Sequence, residues 1–504
     1  MRSPEAELAT GHLVAEISRR SRRGGAVLLG AQAVRVVGQM ATLVVLARLL
    51  PPSAFGLLAM VASVGLVLDL LKELGLSSAT IQKNEITHAQ VSTLFWINAV
   101  AGLSMAAGLA LAAPLLASFY GQPELGPVTR WLALSFALSG LTVQHWALLR
   151  RQMRFTAIAG LETAADYAGF VAAIGLALAG EGYWALVIQR LVSPAMLLAG
   201  SWVVCRWRPA FPAPAQGVRE LLRFGASVTG SGLATALARS FDQILIGWLW
   251  GPAVLGLYER TSRLLLLPVN TINAPVYAAG MPALSRLADQ PERYRAMFRQ
   301  IVQKLGLLTM PAFAVVAVLA DWVVEILFGP AWRAAVPLAA AFSVSATFLP
   351  VLLTMGLLYL TQNRTGEMLR ATLIDAGLCL LAIVSGLPWG AIGVATSLAI
   401  VGLFIRLPVA FWLATRRGPV SAADTWRAIA PPAVAALAAA TAAWMTREFI
   451  APEMTVQAVA AVVAAALLAV MVVLLAWPET RRELRSVAYR AAVFVRRRRS
   501  VLEP

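Results

Sequence analysis

About fourteen apolar stretches, each long enough to cross a bilayer, are spread over nearly all of the 504 residues. A hydrocarbon layer roughly 30 Å thick needs about 20 apolar residues in a helix. The stretches run at roughly 25–48, 54–76, 92–118, 129–149, 158–180, 183–205, 222–248, 254–279, 300–328, 336–360, 366–386, 390–414, 428–447 and 454–477. Hydrophobic residues make up 59% of the chain and charged residues only 13%, against about 25% in a soluble domain. Little length is left for a soluble catalytic domain. The chain is expected to be an all-α polytopic membrane protein that moves, holds or modifies something within the bilayer.

The net charge of +17 would suggest nucleic acid in a soluble protein, but its placement points elsewhere. Arg19, Arg20, Arg22, Arg23, Lys83, Arg150, Arg151, Arg154, Arg206, Arg208, Arg219, Arg286, Arg293, Arg295, Arg364, Arg416, Arg417 and the run 496–499 fall in one set of connections. The alternate set holds little beyond Arg48, Arg130, Arg333 and Arg447. Positive charge collects in cytoplasmic loops, so both termini are expected in the cytoplasm, and no removable signal peptide is expected at the start. The arginine run of the tail lacks interleaved aromatics, so it reads as topology and attraction to anionic lipid, with no nucleic-acid partner. Two cysteines, Cys205 and Cys379, are too few for a disulfide framework, and the three histidines show no metal spacing. No metal and no catalytic residue is expected.

The chain repeats itself. Leu49, Pro52, Gly56 and Leu57 recur as Leu249, Pro252, Gly256 and Leu257, an offset of 200. Gln152 and Arg154 recur as Gln362 and Arg364 at offset 210, and the turn at Gly182 recurs at Gly390. Turn chemistry accounts for the residue types but not for the spacing. Each repeat holds six spans, so the copies share one orientation, and parallel repeats place a substrate path at their interface. The expected organisation is a basic cytoplasmic segment 1–23, an N-lobe 24–205, a linker 206–219 and a C-lobe 220–414. Spans 13 and 14 follow at 415–477, then a basic tail 478–504. Arg293, Arg295 and Arg299 alternate with Tyr294, Met297 and Phe298, which predicts an amphipathic helix lying at the membrane surface.

Ionisable residues at membrane depth are costly and face a cavity or a partner. Gln32, Arg35, Gln39 and Thr42 share one face of span 1. Arg35 either lines a cavity or pairs with an acid of another span, such as Asp69 or Asp242. Span 7 carries Arg239 and Asp242; span 8 carries Glu259, Arg260 and Arg263, with Asn270 and Asn273 deeper. Glu162 and Asp166, four apart on span 5, read either as a cation or proton site or as neutralising partners of Arg35 or Arg370. Cationic and amide groups dominate spans 1, 7 and 8, which would face each other if two lobes form a V. Such a cavity suits an anionic substrate, since the guanidinium fork matches phosphate oxygens.

The strings LARLLPPSAFGLLAMV (46–61), LGLSSATIQK (74–83), FDQILIGWLWGPAVLGLYERTSRL (241–264), MPALSRLADQPERYR (281–295) and EILFGPAWRAAVPL (325–338) resemble the polysaccharide-transporter branch of the MOP (multidrug/oligosaccharidyl-lipid/polysaccharide) exporter superfamily. That branch includes Wzx-type flippases of lipopolysaccharide and exopolysaccharide assembly. The resemblance, over about residues 20–480, implies transfer of an undecaprenyl-diphosphate-linked oligosaccharide from the cytoplasmic to the periplasmic leaflet of a bacterial inner membrane by alternating access. It makes Arg35, Arg239, Arg260 and Arg263 candidates for the diphosphate, and Gln39 and Asn270 candidates for sugar hydroxyls. By analogy it adds coupling to a proton or sodium gradient without a bound cofactor, for which Asp69, Glu162, Asp166 and Asp242 are candidates. A glycan polymerase and a chain-length regulator are the protein partners it suggests. The alternatives are a lipid II flippase, a cation-coupled drug exporter of the same superfamily, or a polytopic glycan polymerase or transferase. An acid-dominated cavity would mark the drug exporter; a large outer loop with paired acids, the enzyme.

Overall fold

The computed structural model describes residues 17–72, 77, 80–81, 86–211, 218–450, 453–477 and 481, with side chains from residue 30 onward except those of 66–72 and 218–239. The side chains of Asp69 and Arg239, those of the basic segment 1–23, part of the linker 206–219 and nearly all of the tail 478–504 therefore lie outside the described residues.

Among the described residues every regular element is helical. In chain order these are α1 (Ile17–Leu49), α2 (Pro52–Lys72), α3 (His88–Tyr120), α4 (Leu125–Arg151), α5 (Phe155–Leu178), α6 (Trp184–Val204), α7 (Val218–Ser285), α8 (Pro291–Val318), α9 (Ala320–Leu327), α10 (Val336–Thr361), α11 (Thr365–Gly386), α12 (Gly390–Val401), α13 (Leu407–Thr415), α14 (Ala422–Phe449) and α15 (Val456–Ala476). A π turn, Gly402–Arg406, joins α12 to α13. Eleven described stretches are long and apolar enough to cross a membrane. Two of them are internally broken: Ser240–Ser285 at Gly251, where φ is 77°, and Thr365–Thr415 at Gly390, where φ is 73°. The described apolar part of α2, Pro52–Gly65, is shorter than the rest. The tally of about fourteen takes each broken stretch as two spans and α2 as one.

Local chemistry sets the helix ends. Thr87 and Ser421 form reciprocal capping boxes with Gln90 and Asp424, satisfying amide donors that a helix start leaves open. Gly121, at φ 64°, closes α3 in the left-handed conformation. Small residues let helices approach closely, as membrane packing favours. A Cβ on Gly102 of α3 would lie 2.7 Å from the Phe136 carbonyl oxygen of α4, and one on Gly140 of α4 would lie 2.7 Å from the Asn98 oxygen of α3. The Ser193 hydroxyl of α6 donates to the Ala165 carbonyl of α5 at 3.1 Å.

By internal contacts the chain divides into two compact units, Met1–Arg260 with Leu327–Trp332, and Thr261–Ile326 with Arg333–Pro504. The division falls inside α7, at the eighth predicted span, rather than in the predicted linker. In the first unit α3 packs on α4, α5 on α6 and α1 on α5; in the second α8 packs on both α10 and α14, and α14 on α15. The segment predicted as a surface helix is the start of α8. Tyr294 and Phe298 are fully buried in the core of the second unit with Phe348, Leu357 and Phe411. The Tyr294 hydroxyl also meets that of Thr361 at 2.6 Å. The apolar stripe there faces protein rather than lipid.

The repeat seen in the sequence is a repeat of geometry. Met153 and Asn363, 210 residues apart, are the described non-glycine residues with positive φ, at 54° and 55°. Next to each, an arginine turns back on the same target: Arg154 Nη1 donates to the Val204 carbonyl at 3.0 Å, and Arg364 Nη1 to the Ala414 carbonyl at 3.1 Å. Both acceptors end a helix hairpin, where unsatisfied carbonyls and the helix dipole favour a cation. The spacing is thus kept because each arginine ties the beginning of one helix to the end of the next.

Candidate functional site

The polar face of α1 meets α5. Arg35 is bound by both predicted acids of that helix: Nη1 donates to Glu162 Oε2, and Nε to Asp166 Oδ2 at 2.9 Å. Tyr167 donates from its hydroxyl to the Val34 carbonyl at 3.1 Å. A Cβ on Gly38 would come within 2.8 Å of the Tyr167 ring, so a side chain there would push the ring aside. Of the two readings of Glu162 and Asp166, the structure supports the neutralising one, with Arg35 as partner. Equally, Arg35 pairs with α5 rather than with Asp242. One guanidinium faces two carboxylates, so the cluster is acidic by one charge when all three are ionised. Its side chains remain 23–35% exposed, so the cluster is reachable.

Asp242 is held elsewhere. Its Oδ2 accepts from the Tyr258 hydroxyl at 2.8 Å and its Oδ1 from the Gln243 amide at 2.8 Å. Tyr258 lies beyond the break at Gly251, so this bond clasps the two halves of the broken helix. Arg260 is buried at 8% exposure. Its guanidinium carbon lies 3.8 Å from the Phe55 ring centre, and its Nε 4.0 Å from Glu259 Oε2. A cation on an aromatic face is a stable packing mode. Phe55 in turn lies 5.5 Å from Trp332, whose indole donates to the Ala47 carbonyl at 2.7 Å. Gln39 is half-buried, Arg263 and Asn270 are exposed, and Asn273 is buried with neither amide atom hydrogen-bonded.

The first repeat motif packs on its own copy. A Cβ on Gly56 would lie 1.7 Å from the Pro252 carbonyl oxygen, and one on Gly256 1.8 Å from that of Pro52. The contact is reciprocal, each motif using its glycine against the other's proline, as in a two-fold interface. No side chain fits between them. The starts of two membrane helices from different repeats are therefore in backbone contact.

Sequence reasoning missed a second ion pair at membrane depth. Arg406, in the π turn, makes a bidentate pair with Asp375 of α11 at 2.8 and 2.9 Å. Both are charges inside predicted spans 11 and 12, each on a helix with no second acid or amide on the same face to mark it. Arg447 likewise grips Asp321 at 2.8 and 2.5 Å.

The sequence profile of the family described as Polysaccharide biosynthesis protein matches residues 45–337. Lipopolysaccharide biosynthesis protein WzxC of Escherichia coli K12 is 26% identical over 364 residues, 71% of this chain and 73% of that protein. Succinoglycan biosynthesis transport protein ExoT of Rhizobium meliloti is 29% identical over 322 residues, 62% of this chain and 65% of that one. Among solved structures, the lipid II flippase MurJ in an inward closed conformation superposes with TM-score 0.71 at 12% identity, covering 92% of this chain and 99% of that one. An inward-facing multidrug resistance MATE transporter of the MOP superfamily superposes at 0.59 and 11% identity, covering 77% and 95%. At such identities these two likenesses speak for the fold alone. The chain belongs to the polysaccharide biosynthesis protein family and is a multi-pass membrane transporter rather than an enzyme.

Proposed function

We propose that the protein is a flippase that carries an undecaprenyl-diphosphate-linked oligosaccharide from the cytoplasmic to the periplasmic leaflet of a bacterial inner membrane, with both termini in the cytoplasm. The family match over residues 45–337 carries this reading, and the naming of ExoT as a transport protein supports it. The cycle is alternating access of two six-helix lobes, 24–205 and 220–414. The Gly56–Pro252 and Gly256–Pro52 seam is on the side with few basic residues, so it is the contact that must part toward the periplasm.

Arg35 is the group proposed to meet the diphosphate. It is already ligated by two carboxylates, so an entering diphosphate competes with them for the same fork. Once displaced, Glu162 and Asp166 are two carboxylates four residues apart with no guanidinium, and repulsion makes them bind a proton or a sodium ion. Substrate and coupling ion would then bind in linked fashion. Arg263, Gln39 and Asn270 are proposed to contact the glycan end. A glycan polymerase and a chain-length regulator are the proposed protein partners. Transfer of a fluorescent lipid-diphosphate-linked oligosaccharide between leaflets of proteoliposomes tests the function. Absence of transfer in either direction, with correctly folded protein and an imposed proton or sodium gradient, would overturn it.

A further inference from the structure

An open cleft of about 80 Å3 lies where α10 ends and α11 begins, beside the end of α13. Its polar wall is made by Arg370, Arg416 and Arg417, with Glu367 and Tyr359. Glu367 is already engaged: Arg364 Nη2 donates to one of its oxygens at 2.7 Å and Arg417 Nη1 to the other at 3.0 Å. Arg370 and Arg416 are exposed and, among the described residues, neither is in an ion pair. The pocket therefore holds a surplus of cationic donors that its one carboxylate does not neutralise.

The rest of the wall is apolar. Ala371 and Leu413 line it, and Leu369, Leu373 and Trp412, on the same two helices, are 53%, 53% and 59% exposed. The Arg416 guanidinium carbon sits 5.0 Å from the Trp412 ring centre. An exposed tryptophan one turn from a helix end, with arginine beyond it, marks the level of lipid headgroups. The donors thus stand at headgroup height with bare hydrocarbon-facing surface next to them. A free phosphate would use only the first of these features.

We infer that this pocket is a binding site for the phosphodiester headgroup of an anionic phospholipid, with its acyl chains lying along Leu369, Leu373 and Trp412. Basic pockets between membrane helices bind such headgroups on electrostatic grounds. The site lies in one lobe, apart from the Arg35 cluster, and holds a resident lipid rather than the transported one.

The test is native mass spectrometry of the full chain in detergent, titrated with phosphatidylglycerol and with phosphatidylcholine. The parent should retain phosphatidylglycerol preferentially. Arg370→Ala with Arg416→Ala should weaken that binding roughly thirty-fold, while Arg370→Lys with Arg416→Lys should stay within about five-fold of the parent. Arg130→Ala with Arg333→Ala removes the same charge at other helix ends and should change it less than about three-fold. The inference fails if the pocket variant binds like the parent or if both alanine pairs weaken binding equally. It fails too if millimolar inorganic phosphate displaces the lipid, which would make this a free-phosphate site. Displacement by equimolar undecaprenyl diphosphate would reassign it to substrate.

Discussion

Adding one methyl group at Gly56 tests whether the repeat-to-repeat contact is a moving seam. A Cβ there would lie 1.7 Å from the Pro252 carbonyl oxygen, whereas carbon and oxygen settle at about 3.3 Å. The two turns must therefore part by about 1.5 Å. Backbone stands on both sides, so no side chain can swing away, and the cost belongs at the upper end of overpacking penalties, about 3 kcal/mol. If the contact forms in only one conformation, that energy shifts the equilibrium against that conformation by about two decades. Gly256→Ala should do the same, because its Cβ would meet Pro52 at 1.8 Å. Spin labels at Leu49→Cys and Leu249→Cys, exposed residues 200 apart, in a Cys205→Ala, Cys379→Ala background, report the separation by double electron–electron resonance. Both glycine variants should gain a longer-distance population and lose glycan export. Gly108→Ala, where nothing lies within 4 Å, should keep the parental distances. Parental distances and export in Gly56→Ala and Gly256→Ala alike would refute the reasoning.

Arg35→Ala should lower both export and the amount of folded protein, since it strips the partner from two carboxylates. Adding Glu162→Gln and Asp166→Asn should restore the amount; if export returns with it, the cluster is structural and the proposed diphosphate role is wrong. Glu162→Gln with Asp166→Asn alone should bind undecaprenyl diphosphate more tightly by roughly ten-fold, because two competitors for Arg35 have lost their charge, and should transport independently of the ion gradient; unchanged affinity by titration calorimetry contradicts the exchange model. Arg364→Ala should lower the thermal unfolding temperature more than Arg154→Ala. Arg364 donates to the Ala414 and Arg417 carbonyls and to Glu367, whereas Arg154 has the Val204 carbonyl, and charged hydrogen bonds contribute ~1.5–3 kcal/mol each. Asp375→Asn should destabilise the protein by leaving Arg406 uncompensated, and Arg406→Met added to it should recover most of the loss; no recovery in thermal unfolding would show the pair is not a closed unit.

Periodicity and repetition were legible in the sequence because they are local or follow a constant offset. Apolar length marks a membrane helix whatever it touches, and the offsets of 200 and 210 survive as paired turns and paired arginine caps. Partner choice was not legible. Arg35 and Glu162 are 127 residues apart, and a helix face says which residues point together without saying at what. The same limit explains the start of α8: alternation of Tyr294, Phe298 and arginines shows an apolar stripe, but protein core and lipid surface attract such a stripe equally. Gly56 was visible as half of a repeat. That it touches the other half's proline became visible only when the two turns were brought together.

The sequence reading expects an electropositive chamber lined by Arg35, Arg239, Arg260 and Arg263, and in the structure Arg35 and Arg260 each have close partners. Arg35 answers to two acids, Arg406 to one, and Arg260 lies on an aromatic ring. Desolvated charge is tolerable only when paired in this way, so a resting transporter should not hold bare guanidinium groups in its membrane interior. Exposed arginines outside ion pairs stand near helix ends, as with Arg370 and Arg416. On the proposed function, an anionic cargo would have to win its arginine from a carboxylate, and the released carboxylate would have to find another cation. On the exchange proposed above, coupling to an ion gradient would need no dedicated ion site, because the acid paired with the arginine in the empty protein would become the ion's ligand when cargo is bound.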